Sequence, residues 1–137
     1  MSAVDIALPR IKTEEGYRGR IYTDTEGHQT IGYGFNLDAG LPEYAAAALL
    51  TAQLQELDHS LNAYAWYGGL DAIRQSVLID IAFNSGINGL LRFPHMLAAL
   101  AAKDWGTAAN ECRVTNPELA GRYERLARIL LNGDTNS

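Results

Sequence analysis

The chain has 137 residues, of which 47% are hydrophobic, and it carries a formal net charge of −5. This length suits one domain with its own core, and the single cysteine, Cys112, excludes an internal disulfide framework. The negative charge argues against nucleic acid as a partner, because phosphate binding needs clustered Lys and Arg. No apolar run approaches the roughly 18 residues of a membrane span, and no export signal is visible, so we expect no stable membrane association.

A first helix is predicted near the N-terminus. Asp5 suits the N-cap position, Pro9 would fall in the first turn, and the helix would end at about Glu15. Gly16 is the residue expected for a left-handed C-cap. Glu15 would then lie at the negative end of the helix dipole, where the ionised form of a carboxylate is disfavoured. A lone glutamate in this position is usually a solvated surface residue, so the segment that follows decides its interpretation.

A β-hairpin is predicted directly after this helix. One strand covers residues 21–23, a turn covers residues 24–27, and a second strand covers residues 29–34. The fold-back brings the side chains of Asp24 and Thr30 near one another. An aspartate at the start of a turn is more often only a cap on the backbone. Gly32 and Gly34 leave the strand surface bare, which suits close approach by a ligand or another backbone.

Helical patterns fill the rest of the chain. A long helix is predicted over residues 42–62, an aromatic break over 64–69, and a helix over 72–84 that is capped by Asp71 and apolar on most sides. Shorter helices follow at residues 88–93, 94–102, 105–113 and 117–131, the last closed by Gly133. We therefore predict one domain over residues 1–137. Its parts are an N-terminal lobe (14–41), a connecting helix (42–62) and a helical lobe (63–133) that includes the first helix (5–15).

The residues around the hairpin suit one kind of chemistry. Glycoside hydrolysis needs a protonated carboxylic acid that donates to the leaving oxygen and an ionised carboxylate on the opposite side. Glu15, at a helix end and in a cleft between lobes, suits the acid role, and Asp24, in a polar turn, suits the ionised role. The hydroxyl of Thr30 can hold the attacking water beside Asp24. If this spacing were the only support, the hypothesis of a glycoside hydrolase would be weak.

The same residues belong to a longer ordered pattern. Glu15, Asp24 and Thr30 are the E, D and second T of E-G-x-R-x-x-x-Y-x-D-T-E-G-x-x-T-I-G-x-G, which covers residues 15–34. This pattern resembles the catalytic signature of the bacteriophage-type lysozymes, the endolysin muramidases. The resemblance extends over nearly the whole chain, through residues 70–86 (LDAIRQSVLIDIAFNSG), Phe93, residues 103–109 (K-D-W-x-x-A-A), Arg122 and Arg125.

The resemblance implies an α+β, lysozyme-like fold, with a small N-terminal lobe that contains a β-hairpin joined by a long helix to a larger all-helical lobe. It implies an endolysin that cleaves the β-1,4 bond between N-acetylmuramic acid and N-acetylglucosamine in peptidoglycan, for bacterial cell-wall lysis. By this resemblance Glu15 is the general acid, Asp24 is the partner carboxylate, and Thr30 positions water. Because the family inverts the anomeric configuration, we expect a carboxyl separation of about 6.5 to 9.5 Å.

Further site residues and partners follow from the same resemblance. Arg122 matches a position whose guanidinium pairs with the catalytic glutamate. The substrate-binding candidates, on the hairpin side and on the helical lobe, are Gly34, Asn36, Phe83, Asn84 and Glu111. We expect no metal and no other cofactor, peptidoglycan glycan strands as the partner, and a monomer. We also expect synthesis in the host cytoplasm without a signal peptide and action on the wall after holin-dependent release through the membrane.

The sequence departs from the family pattern in two places, and two alternative functions remain to be considered. Phe35 stands where well-known relatives have a histidine, and Gln53 stands at its acidic partner's position, so that ion pair is absent. The loop over residues 36–41 is short, which leaves the number of sugar subsites open.

A lytic transglycosylase would use Glu15 alone, and a non-catalytic peptidoglycan-binding protein would be expected to lose Glu15 or Asp24. We interpret Asp80 as a structural acid rather than a cleft residue.

Overall fold

The structure is a computed structural model that describes residues 1–114 and 116–135. It is mostly helical with a small three-stranded antiparallel sheet in the order β1-β2-β3, as the α+β prediction requires. The chain divides into two compact units, Met1–Ala48 (the N-terminal unit) and Leu49–Ser137 (the helical unit). In chain order the elements are α1 (Ala3–Glu15), β1 (Arg18–Thr23), β2 (Gln29–Gly32), β3 (Phe35–Asn36), a 3-10 helix (Leu37–Ala39), α2 (Glu43–Leu61), α3 (Ala65–Gly68), α4 (Ala72–Leu90), α5 (Pro94–Ala101), α6 (Trp105–Cys112) and α7 (Pro117–Asn132).

The start of α1 differs from the prediction. The N-cap is Ser2, whose hydroxyl accepts a hydrogen bond from the Asp5 amide, while the Asp5 carboxylate accepts one from the Ser2 amide. The predicted Asp5 N-cap is therefore wrong, because Asp5 is the third helical residue of a capping box. Pro9 consequently lies inside the helix rather than in its first turn. The lost hydrogen bond to the Asp5 carbonyl makes this the weakest point of α1.

The end of α1 lies where the sequence predicted it. Glu15 is the last helical residue, and the Gly16 amide donates to the carbonyl of Lys12. Gly16 has φ 68° and ψ 144°, so the cap glycine was predicted correctly while its left-handed helical conformation was not. A glycine adopts this positive φ without the steric cost that another residue would have. The chain can therefore turn sharply from Glu15 into β1.

The sheet consists of two consecutive hairpins. Thr30 in the central strand pairs with Tyr22 of β1 on one side and with Asn36 of β3 on the other. The second predicted strand, residues 29–34, was too long, because β2 ends at Gly32 and a tight turn leads into β3. Gly32 and Gly34 have φ of 70° and 79°, values that break a strand and favour a turn. The glycines therefore form the second turn instead of leaving a flat strand surface.

The predicted hydrophobic core lies in the helical unit. Asp71 caps α4 as expected. Gly86 is non-helical (φ 77°, ψ 166°) and separates the first stretch of α4 from a short second stretch that ends at Leu90, so a separate helix follows as predicted but ends before the predicted residue 93. The short helix α3 forms within the predicted aromatic break. Each fully buried Leu or Ile contributes roughly 1.5 to 3 kcal/mol. The largest fully buried side chains come from α2 to α7: Leu61, Tyr67, Val77, Leu78, Ile81, Leu90, Met96, Leu100, Cys112 and Leu130.

Arg74, on the first turn of α4, connects three helices of this unit. Its guanidinium donates to the carbonyl of Leu130 at 2.7 Å, pairs with Asp71 at 3.0 Å, and lies 3.7 Å from the ring centroid of Trp105. The Leu130 carbonyl belongs to the last turn of α7, where a cation is favoured by the helix dipole. Gly133 then closes α7, as predicted, and it has the left-handed conformation.

The junction between α5 and α6 contains an unusual backbone conformation. Lys103 has φ 57° and is the one non-glycine residue with positive φ in the described ranges. Its amide donates to the carbonyl of Leu100, and the next amide, that of Asp104, donates to the carbonyl of Ala99. These two bonds define a Schellman motif, in which glycine is the usual residue at the position of Lys103. Asp104 also caps α6 through the amide of Thr107.

Across the part of the chain that the structure describes, no helix is long and apolar enough to cross a membrane.

Candidate active site

The three predicted catalytic residues all belong to the N-terminal unit. Glu15 is the last residue of α1, Asp24 begins the turn between β1 and β2, and Thr30 lies in the middle of β2. The sequence that forms the helix cap and the first hairpin therefore also places the two carboxylates and the hydroxyl within residues 15–30. Their roles in catalysis stay predictions at this point.

Asp24 is fixed by the backbone of its own turn. Its Oδ1 accepts hydrogen bonds from the amides of His28 at 2.8 Å and Glu26 at 2.9 Å. The His28 amide is the largest influence that holds the pKa of Asp24 below its ordinary value; desolvation opposes it and the Glu26 amide adds to it. Oδ1 is thus occupied by backbone donors, while Oδ2 lies 3.5 Å from Nδ1 of His28. Asp24 is a carboxylate that stays ionised and is both a turn cap and a candidate for chemistry.

Apart from the buried tyrosines and Cys112, Thr30 is the one buried residue with a polar side chain within residues 1–114 and 116–135, with 2% of its surface exposed. Its hydroxyl donates to the carbonyl of His28 at 3.0 Å. Asp24 and Thr30 therefore bind opposite ends of the same residue, because the amide of His28 donates to Asp24. The sequence predicted that these two side chains would be near one another. It gave no signal that the backbone of His28 joins them.

Glu15 lies against the turn between β2 and β3. Gly34 is so close that a Cβ built on it would be 2.7 Å from Oε2 of Glu15. This distance is shorter than any ordinary contact of a Cβ atom, so the absence of a side chain at Gly34 is what admits the carboxylate. The sequence analysis expected Gly34 to admit a ligand or another backbone. In the structure the group that approaches it is the Glu15 side chain.

The end of the sheet positions two further residues of interest. The side chain of Asn36 accepts a hydrogen bond from the Asp38 amide at 2.9 Å and so caps the 3-10 helix. Asp38 in turn accepts one from the Gln29 amide at 3.0 Å, which ties the 3-10 helix to β2. Phe35 is 60% exposed, and its ring lies over Gly32. Asn36 thus has a structural role, and its predicted contact with substrate stays a prediction.

Phe83, a predicted substrate-binding residue, lines an open groove within the helical unit. The groove has a volume of about 490 Å³ and lies between α2 and α4. Its other walls are apolar or carry long polar side chains: Ala52, Gln53, Glu56, Leu57 and Ala82. Phe83 is 47% exposed, which leaves part of its ring available for contact with a ligand. Gln53, the residue that replaces the expected acid on the long helix, lines the same groove.

Asn84 and Glu111 are both exposed residues of the helical unit. Oδ1 of Asn84 accepts a hydrogen bond from the hydroxyl of Tyr123 at 3.1 Å. This bond fixes the amide so that its NH₂ group stays available to another acceptor. Glu111 lies in the last turn of α6. The predicted saccharide contacts of both residues are untested by these positions.

Arg122 forms an ion pair with Asp80. Its Nε and Nη2 lie 2.8 Å and 2.5 Å from Oδ1 of Asp80, and each side chain is 37% exposed. The pair links α7 to α4, which agrees with the interpretation of Asp80 as a structural acid. The pairing of Arg122 with Glu15 that the resemblance implied stays a prediction.

The described residues hold no group of three or more His, Cys, Asp or Glu side chains close enough to bind a metal ion. Cys112 is fully buried, and its burial raises the pKa of its thiol to about 12. At neutral pH this thiol therefore stays protonated and unreactive.

A helix that ends on a glutamate and a small antiparallel sheet with an ionised aspartate supply two carboxyl groups, and a pair of carboxyl groups is what glycoside hydrolysis uses. Residues 12–128 match the model of the phage lysozyme family, and the chain belongs to that family. The recognition made from the sequence is confirmed. At the level of the family, this membership assigns the chain to glycosidase-type enzymes that act on peptidoglycan.

Curated relatives are similar to this chain at low identity. The pre-baseplate central spike protein Gp5 of Enterobacteria phage T4 is 24% identical over 93% of this chain, which spans only 28% of the length of Gp5. The probable T4-type lysozyme 1 of Dictyostelium discoideum is 25% identical over 93% of this chain and 94% of its own length. The probable T4-type lysozyme 2 of the same organism is 21% identical over 90% and 92%.

These alignments also bear on the size of the chain. The alignment with the first Dictyostelium protein covers 161 positions, whereas the present chain has 137 residues. The relative therefore has segments without a counterpart here.

Proposed function

We propose that this protein is an endolysin muramidase, which hydrolyses the β-1,4 bond between N-acetylmuramic acid and N-acetylglucosamine with inversion. The observation that carries the proposal is the state of Asp24. Two backbone amides hold its pKa below the ordinary value, and this carboxylate stands in the family's signature with Glu15 nine residues before it. An inverting glycosidase requires an ionised carboxylate that activates water and a second carboxyl group that donates a proton to the leaving oxygen, and we assign these roles to Asp24 and Glu15.

In the proposed mechanism, Glu15 donates a proton to the glycosidic oxygen as the bond to the anomeric carbon breaks. A water molecule attacks that carbon from the opposite face and gives a proton to Asp24. The hydroxyl proton of Thr30 is committed to the carbonyl of His28, so the lone pairs of Thr30 can accept the other hydrogen of this water. The attacking lone pair of the water then stays free to face carbon. The predicted carboxyl separation of about 6.5 to 9.5 Å leaves room for that water.

The remaining site residues are proposed to bind the glycan. Phe83 would stack on the apolar face of a sugar ring, because aromatic rings recognise such faces. Asn84 and Glu111 would supply polar contacts, as would the segment with Gly34 and Asn36. We propose a supporting role for Arg122, through charge near the general acid. The two-lobed lysozyme arrangement that would bring these residues together is part of the proposal.

Digestion of purified peptidoglycan tests the reaction. Wild-type protein is expected to release fresh reducing N-acetylmuramic acid ends, and Glu15→Gln and Asp24→Asn are expected to release none. Proton NMR of the first products is expected to show the α anomer, the product of inversion. Product that appears first as the β anomer would contradict inversion.

The same digestion separates the alternatives. Anhydro-muramyl products, with full activity in Asp24→Asn, would identify a lytic transglycosylase. Wall binding without release of any ends would identify a non-catalytic peptidoglycan-binding protein. Retention of both Glu15 and Asp24 favours the hydrolase over either alternative.

We further propose that the protein acts as a monomer in bacterial lysis and reaches the wall from the host cytoplasm through a membrane lesion. In a Gram-negative host, expression alone should leave the culture turbid, and a membrane-permeabilising agent should then cause rapid lysis. Lysis on expression without that agent would contradict this route. The similarity to a protein named as a central spike gives reason to consider entry instead, in which case the chain would be found in purified virions.

A further inference from the structure

We propose that Tyr33 is a positioning residue for Glu15. Its ring contacts Lys12 and Tyr17 and thereby fixes the turn between β2 and β3 against the end of α1. The next residue of that turn, Gly34, then confines the Glu15 carboxylate. This inference rests on the proposed function of Glu15 as the general acid. It adds a residue outside the catalytic signature, because position 33 is an unspecified position of the G-x-G segment.

Two contacts hold the ring of Tyr33. The ammonium of Lys12 lies 5.6 Å from its centroid, within the range of a cation–π interaction. The ring of Tyr17 lies 5.6 Å away, centroid to centroid, with the ring planes at 51°, a favourable tilted geometry. Lys12 precedes Glu15 on the last turn of α1, and Tyr17 follows it by two residues. The ring therefore contacts the chain on both sides of Glu15.

The backbone of the turn makes this contact effective. Tyr33 lies between Gly32 and Gly34, whose φ values of 70° and 79° bend the chain sharply on both sides of the ring. A segment with two glycines is conformationally permissive, so its position depends on what the intervening side chain contacts. The ring of Tyr33 is the side chain that supplies such contacts to the end of α1. Through it, the turn acquires a fixed position.

Glu15 needs such a fixed neighbour. The residue is exposed at the end of α1, and a glutamate loses much rotamer freedom when it is held in one conformation. The close approach of Gly34, where a Cβ would lie 2.7 Å from Oε2, removes conformers on that side of the carboxylate. This restriction holds only while the turn stays against α1. Loss of the ring of Tyr33 should therefore leave Glu15 intact but poorly placed.

Steady-state kinetics on soluble peptidoglycan fragments test this inference with three variants. Tyr33→Ala should lower kcat by about 10- to 100-fold, since a misplacement near 1 Å can have an effect of that size, with KM changed less than about threefold. Tyr33→Phe keeps the ring and should stay within about threefold of wild type in kcat. Tyr44→Ala is the matched control, because Tyr44 is a 77% exposed tyrosine of the same unit on α2, and it should leave both constants unchanged.

An NMR titration supplies a readout that general destabilisation would not move. In wild type the Gly34 amide shift should follow the titration of Glu15, because the carboxylate lies so near this residue that an added Cβ would be 2.7 Å from its Oε2. The His28 amide should follow the titration of Asp24, to which it donates. In Tyr33→Ala the response at Gly34 should shrink, and the response at His28 should stay as in wild type.

Several results of these experiments would overturn the inference about Tyr33. A raised KM with unchanged kcat in Tyr33→Ala would make Tyr33 a substrate contact and overturn the inference, as would an unchanged Gly34 titration. If Tyr33→Ala does not fold, Tyr17→Leu removes one of the two ring contacts and must give an intermediate loss of kcat; unchanged kcat there overturns the inference as well. Failure of the muramidase proposal would appear separately, as activity that survives Glu15→Gln, and the Gly34 titration would still decide whether Tyr33 positions Glu15.

Discussion

Replacement of Gly34 by alanine tests whether the close approach of this glycine to Glu15 matters for catalysis. The added Cβ would lie 2.7 Å from Oε2 and 3.4 Å from the carboxyl carbon of Glu15. Because favourable contacts between such atoms begin near 3.5 Å, the carboxylate must move by roughly 0.8 Å. The atoms that move are the far end of a flexible side chain. The backbone of the turn can therefore stay nearly in place while the carboxylate is displaced.

The expected effects on stability and on activity differ in size. Alanine at φ 79° is strained by about 1 to 2 kcal/mol, and the reduced freedom of the unfolded chain returns part of that. We expect a net loss of about 1 kcal/mol in the free energy of unfolding. A displacement near 1 Å of a catalytic group can lower the rate by about 10²-fold, so kcat should fall by about 10- to 100-fold. Most of the protein would remain folded, and the rate loss would be catalytic.

Gly40→Ala is the matched control for backbone strain. Gly40 has φ 84° in the same unit, and a Cβ there meets no atom within 4 Å. It should lose a similar amount of stability, measured by urea unfolding, and keep its kcat on soluble peptidoglycan fragments. Equal kcat in Gly34→Ala and Gly40→Ala would refute the reasoning, because strain alone would then account for the change.

Three further predictions concern a titration and two helix ends. The pKa of Asp24 in the folded protein should lie below the ordinary value of 3.8. The ionised carboxylate therefore stabilises the fold fully above the unfolded-state pKa, and this stabilisation is lost as the pH falls through the folded-state pKa. A pKa at or above 3.8 in an NMR titration of the Asp24 carboxyl carbon would contradict this prediction. Lys103→Gly should raise the free energy of unfolding by about 1 kcal/mol, because glycine adopts the left-handed conformation without strain, whereas Lys103→Ala should give no such gain in urea unfolding. Arg74→Ala should lower the free energy of unfolding by about 3 kcal/mol, because it removes a charged hydrogen bond, an ion pair and a cation–π contact. Arg74→Lys should recover less than half of that in calorimetry, since lysine lacks the planar fork, and full recovery would show that charge alone suffices.

The sequence predicted the helical elements well where a cap or periodic pattern was strong. Asp71 at the start of α4 and Gly133 at the end of α7 were both predicted, because side-chain capping and left-handed glycine are local properties. The start of α1 was wrong because Ser2 and Asp5 are both good caps, and only the reciprocal hydrogen bonds show which residue is first. The helix α3 was missed because its four residues lie in an aromatic, glycine-flanked segment without a helical period.

The hairpin shows a different kind of limit. Residues 29–34 contain β-branched and aromatic side chains that favour a strand, and local propensity cannot place its end at Gly32. What ends the strand is the positive φ at Gly32 and Gly34, and a lone glycine in a strand pattern indicates only that some close approach occurs. Which group approaches is a tertiary property. The sequence therefore could not predict that the group near Gly34 is the carboxylate of Glu15.

The site residues were found through their spacing, and the structure gives that spacing a local physical reason within the N-terminal unit. Five residues separate Asp24 from Thr30, which is the length at which a turn can bind its own aspartate through the amide of His28 and its own threonine through the carbonyl of the same residue. A slip of one residue in the pairing of β1 with β2 would move the Thr30 side chain to the other face of the sheet, since side chains alternate along a strand. The spacing thus encodes one hydrogen-bonded unit, in which the two peptide groups that flank His28 act on different side chains: the amide before it helps to keep Asp24 ionised, and the carbonyl after it orients the Thr30 hydroxyl.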